Sequence, residues 1–65
     1  MDISVIVPVF NEESNLLVLH ERLVNVITGI TNQYEIIFVN DGSKDNSLTV
    51  IKTLAQQFPQ IKYID

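Results

Sequence analysis

Two apolar runs dominated by valine and isoleucine, Ile3 to Val9 and Tyr34 to Asn40, constrain this chain most, because each is followed by apolar residues recurring at spacings of three and four. Short β-branched runs favour strands. Their near-continuous apolar character favours strands buried on both faces, as in a parallel sheet. Spacings of three and four mark one face of a helix. The first such stripe is Leu16, Leu19, His20, Leu23, Val26, Ile27 and Ile30, and the second is Leu48, Ile51, Leu54, Ala55 and Phe58. Ile61 to Ile64 reads as a short third strand. Strands alternating with helices imply right-handed β-α-β crossovers, so the expected fold class is α/β: a β-α-β-α-β parallel sheet of strand order 3-2-1 with both helices on one face.

Local signals set the boundaries. Pro8 limits where the first ladder can extend, and Asn11 or Ser14 is expected to cap the first helix. Glu12 and Glu13 would then occupy its first turn, where acids suit the positive end of the helix dipole. Gly29 and Asn32 can end that helix. Asp41-Gly42 supports a sharp turn after the second strand, Ser43, Asp45 or Asn46 can cap the second helix, and Pro59 stops it after Phe58. His20, with no second histidine or cysteine for a metal, reads as a packed side chain. Lys44 reads as solvated.

With 65 residues and 46% hydrophobic content, the chain is too apolar for a disordered segment and too short for a large core. A domain of this size hides only about 60% of its unfolded surface, so it needs tight packing, a metal or a partner. Cysteine is absent, which excludes a disulfide framework or a cysteine zinc site. The net charge is −4, and the four basic residues, Arg22, Lys44, Lys52 and Lys62, are scattered, which argues against nucleic-acid binding. No positively charged leader opens the chain, and the apolar stretch from Ile3 stops at Phe10, short of the roughly 20 residues of a membrane span. Residues 1–65 are expected to form one portion of a domain, without a linker or a second domain.

In open α/β sheets ligands sit outside the carboxyl ends of the strands. The first strand ends at Pro8-Val9-Phe10-Asn11-Glu12 and the second at Asn40-Asp41-Gly42-Ser43, which suggests one shared crevice. Each residue also has a plainer role: Asp41-Gly42 as a turn, Glu12 and Glu13 as dipole acids, Phe10 as core, and Ser43 and Asp45 as helix caps.

The segments Ser4-Val5-Ile6-Val7-Pro8-Val9-Phe10-Asn11-Glu12-Glu13 and Glu35-Ile36-Ile37-Phe38-Val39-Asn40-Asp41-Gly42-Ser43-Lys44-Asp45-Asn46-Ser47 closely resemble the start of family 2 glycosyltransferases with a GT-A (Rossmann-like) fold. The wording most resembles the polyprenyl-phosphate branch, typified by dolichol-phosphate mannose synthase. The resemblance implies that Pro8, Phe10, Glu12, Asp41 and Ser43 bind the nucleotide of a UDP- or GDP-linked sugar donor. Pro8 and Phe10 match positions lining the base pocket, and Glu12 and Asp41 match positions that bond the base or ribose. The chemistry agrees: a flat base needs an apolar wall, and imide N–H and ribose hydroxyl groups are donors that a carboxylate accepts. Phe10 stands where many members have tyrosine, so stacking remains without a phenolic hydrogen bond.

The resemblance also implies a later Asp-x-Asp metal motif and a later catalytic base, and neither has a counterpart in residues 1–65. No catalytic or metal-binding residue is therefore expected here, and no cofactor bound by this chain alone, with Mg or Mn expected in a full-length parent. Asp41 and Asp45, four apart, lack a third hard oxygen ligand. The expected function is that of the nucleotide-sugar-binding part of a hexosyltransferase, at the cytoplasmic face of the membrane or in the cytoplasm, with polyprenyl phosphate or a saccharide as acceptor. By itself the chain is expected to be inactive. Alternatives are a non-catalytic nucleotide-binding module and a self-associating one. The uncovered sheet face and the single neighbour of strand 1 suggest either a larger domain or a homo-oligomer.

Overall fold

A computed structural model describes residues 2–65. The elements are β1 (Ile3–Val9), α1 (Leu16–Thr28), β2 (Tyr34–Asn40), α2 (Ser47–Gln57) and β3 (Ile61–Ile64). All strands are parallel, in the order β1-β2-β3, which is 3-2-1 read from the opposite edge. Register partners run from Ile3 with Tyr34 to Val9 with Asn40, and β3 joins at Ile36 with Ile61. The C-terminal ends of β1 and β2 are therefore level, and the two loops that follow them start side by side.

One face of this sheet forms the core. Tyr34, Ile36 and Phe38 of β2, Val9 of β1 and Ile61 of β3 are buried against Leu16 and Ile27 of α1 and Ile51 and Leu54 of α2. Side chains alternate across a strand, and the opposite face, with Ser4, Ile6 and Pro8, is open: Ile6 is 67% exposed. The apolar character of β1 had suggested cover on both faces. Within these residues only one is covered, since both helices pack on the same side.

Pro8 sits without penalty. Ile3 N–H donates to Gln33 and Asp41 N–H donates to the Val9 carbonyl, so the odd-numbered residues of β1 turn their backbone groups toward β2. Pro8 then faces the free edge, where its missing N–H breaks no ladder bond. The pairing with β2 continues past it through Val9, the expected end of the strand.

Both helices differ in detail from their sequence pattern. α1 begins at Leu16 with Asn15 as N-cap, and no acid lies in its first turn. Neither Asn11 nor Ser14 caps it, and Glu12 and Glu13 stay in the preceding loop. Gly29 ends it, as expected. Val26 and Ile30 are exposed while Val24 packs against the core. At about 100° per residue, Leu19, Leu23 and Val26 lie at the margin of the buried face, with Leu19 and Leu23 half-buried against the core and Val26 exposed, while Ile30 follows the end of the helix. α2 is capped by Asn46 and closed by Phe58, whose extended backbone (φ −127°, ψ 116°) leads into Pro59. The Phe58 ring is outside the core and lies 4.7 Å from the ring of His20. His20 is only 8% exposed and its Nε2 has no partner among the described residues. Burial lowers its pKa, partly opposed by the neighbouring Glu21 carboxylate. No helix among the described residues is long and apolar enough to cross a membrane.

Candidate functional site

The two loops beyond β1 and β2, residues 10–15 and 41–46, meet at the C-terminal edge of the sheet. Because Val9 and Asn40 are register partners, Asp41 N–H reaches the Val9 carbonyl at 2.9 Å. Gly42, with φ +72°, then turns the chain back so that the Ser43 hydroxyl lies beside the first loop. That hydroxyl accepts the Asn11 N–H at 3.0 Å and approaches the Val9 carbonyl at 3.5 Å. Asn11, itself left-handed at φ 51°, accepts the Lys44 N–H on its Oδ1 at 2.7 Å. Asparagine tolerates that conformation better than most residues with a Cβ.

A second row of bonds lies toward the helices. Glu12 N–H donates to Ser47 Oγ at 2.9 Å, and Glu13 N–H donates to Asp45 Oδ2 at 3.2 Å. The Glu13 carboxylate accepts the Asn46 N–H at 3.1 Å and its side-chain amide at 3.3 Å. Asp45 Oδ1 accepts both the N–H and the hydroxyl of Ser47. The Ser47 hydroxyl, followed by the backbone donors of Ser47 and Glu13, holds the Asp45 carboxyl below the usual carboxylate range. Ser47 is fully buried at the start of α2, which its hydroxyl tolerates because it both donates and accepts. These bonds fix Glu12 and Glu13 in the loop ahead of α1, where the Ser47 and Asp45 side chains accept their N–H groups.

The side chains singled out in the sequence divide into two kinds. Phe10 is 57% exposed, and Pro8 and Asp41 are also exposed, so none of the three is consumed by the core. Glu12 is half-buried and holds the Asn15 amide on one carboxylate oxygen at 3.1 Å. Ser43 is instead engaged across the loops. Pro8 and Glu12 also line a groove of about 380 Å³ between the free edge of β1 and α1, with Asn15, Val18 and Arg22 among its walls. Phe10, Asp41 and Ser43 are not part of that groove. Asn40, which was not among the candidate ligand residues, is buried at the end of β2, where its amide donates to Asp65 at 2.9 Å and its Oδ1 has no partner among the described residues.

The family model of glycosyl transferase family 2 matches residues 4–65. The chain belongs to that family. Among its relatives within glycosyl transferase family 2, a putative glycosyltransferase of Bacillus subtilis is 45% identical over 95% of this chain and 19% of its own length. An uncharacterized glycosyltransferase of Synechocystis is 43% identical over 100% of this chain and 20% of its own. An undecaprenyl-phosphate 4-deoxy-4-formamido-L-arabinose transferase of Serratia proteamaculans is 44% identical over 85% of this chain and 17% of its own. The similarity thus includes a polyprenyl-phosphate glycosyltransferase. The chain spans about a fifth of the length of these curated relatives.

The divalent metal that the family resemblance implies finds no ligand set here. Asp45 has both carboxylate oxygens engaged by N–H and O–H donors, and the described residues contain no group of three or more acids or histidines suited to a cation.

Proposed function

We propose that this chain is the nucleotide-binding N-terminal part of a glycosyltransferase that moves a sugar from a UDP- or GDP-linked donor to a polyprenyl phosphate or a saccharide. One observation carries this reading. The loops after β1 and β2 are tied together by bonds that consume Asn11, Glu13, Ser43 and Asp45, while Phe10 and Asp41 remain exposed and uncommitted. Phe10, with Pro8 beside it, offers an apolar wall for a base. Asp41, and the Glu12 oxygen not held by Asn15, offer acceptors for imide N–H or ribose hydroxyl groups. Ser43 supports the site by bracing the first loop.

In the parent, Mg or Mn would neutralise charge on the leaving diphosphate as a Lewis acid. The metal ligands and the base that activates the acceptor lie outside residues 1–65 on this reading, so the chain alone binds without transferring. Sequence similarity to an undecaprenyl-phosphate transferase favours work at the cytoplasmic face of a membrane. Asp41→Ala in the parent tests the assignment. Loss of a hydrogen bond to a charged group should weaken UDP or GDP binding by about 1.5–3 kcal/mol, roughly tenfold or more, with the melting temperature little changed. Unchanged calorimetric affinity for every nucleoside diphosphate would remove Asp41 from the site.

For the chain on its own, the open β1 edge and exposed Ile6 favour a second property, self-association into a homo-oligomer.

A further inference from the structure

We propose that Glu13 and Asp45 are positioning residues: with Asn46 and Ser47 they form a reciprocal clasp that fixes Phe10 and Glu12 on one strand end against Asp41 on the other. This deepens, and rests on, the reading of the crevice as a nucleotide site. The geometry is that of a two-way grip. Glu13 donates its N–H to the Asp45 carboxylate, and its own carboxylate accepts two donors from Asn46, so one residue gives and receives across the same gap. Asp45 is held in turn by Ser47, whose hydroxyl reaches back to the Glu12 N–H. The chain of bonds runs from the first loop to the second and returns.

Position along the loops gives the clasp its consequence. Glu12 carries a candidate ligand carboxylate on a residue whose backbone N–H is tied to Ser47, and Glu13 follows it directly. Asp41 and Asp45 bracket the turn containing Gly42, whose φ of +72° belongs to a conformation that glycine leaves readily. Neither loop has regular structure over residues 10–12 or 41–46 to hold it. Without the clasp, a ligand would have to order both loops as it bound, and that ordering subtracts from affinity. Both carboxylates are filled by protein donors, which separates them from the uncommitted Asp41.

The test compares Glu13→Ala, Glu13→Gln, Asp45→Ala and Asp45→Asn in the parent protein by hydrogen–deuterium exchange of peptides covering 10–16 and 41–48. Calorimetry with UDP and with GDP is read alongside. The alanine variants should exchange faster in both loops but not over 34–40, and should lose about tenfold in affinity. Glu13→Gln, which keeps an acceptor oxygen for the Asn46 N–H, should recover most of it. Should an alanine variant fail to fold, Asn46→Ala removes only the amide arm and carries the same comparison. Unchanged exchange overturns the clasp. Faster exchange with affinity within about twofold of wild type overturns its positioning role while leaving the nucleotide site standing. A wild-type parent that binds neither UDP nor GDP removes the nucleotide reading and the positioning role with it, whereas exchange still decides whether the clasp exists.

Discussion

Gly42 is left-handed at φ +72°, and a Cβ placed on it would meet nothing within 4 Å. The glycine is therefore required by backbone conformation and not by space. Gly42→Ala should cost about 1 kcal/mol, roughly 4–8 °C in melting temperature for a domain of this size, and thermal unfolding followed by circular dichroism checks it. An unchanged midpoint would mean that the turn relaxes elsewhere. The Asp-Gly pair was legible in sequence because a sharp turn after a strand demands one residue free of Cβ strain. The role of Ser43 was not. Its hydroxyl braces Asn11, which lies 32 positions earlier, and no local pattern encodes a contact at that separation. The same holds for Glu13, which reads as a helix-dipole acid until its carboxylate is seen on Asn46.

Among the elements, the strands agree with their sequence pattern because β-branched runs bounded by turn residues leave little choice of state. The helix starts are less legible, since side chains far along the chain hold the backbone ahead of them: Glu12 and Glu13 stay in the loop before α1, with their N–H groups bonded to Ser47 and Asp45. The α1–α2 contact adds a pH dependence. His20 packs against Phe58, with Leu54 and Gln57 of α2 also lining its surroundings, and the charged neighbour is Glu21 on its own helix. Its pKa in the fold lies below the ordinary value of 6.5, so the unfolded chain binds the extra proton first. Stability contributed by neutral His20 should be complete above about pH 6.5 and should fall as pH drops through the lower folded value. Denaturant titrations between pH 7 and 5 should show this loss in wild type and a reduced slope in His20→Leu. Equal slopes in the two proteins would assign the effect to other groups.

For the whole molecule, the sheet is complete on one face and unfinished on the other. Ile6 and Ile64 are exposed on a surface with no cover in these residues, and the edge of β1 leaves the backbone groups of Ser4 and Ile6 unpaired by β2. The chain alone should therefore associate at micromolar concentration, and Ile6→Lys should shift it toward monomer. Sedimentation of a folded, stable wild-type monomer would count against this. By itself the sequence determined the elements, the parallel α/β order and the family, because periodicity and the two strand-end motifs are local. Only the tertiary structure decided that Glu13, Asp45 and Ser47 join two loops, that Pro8 faces a free edge, and that Ser43 is a brace. Those roles depend on which backbone donors and acceptors meet once β1 and β2 lie level, and that meeting is a property of the folded sheet.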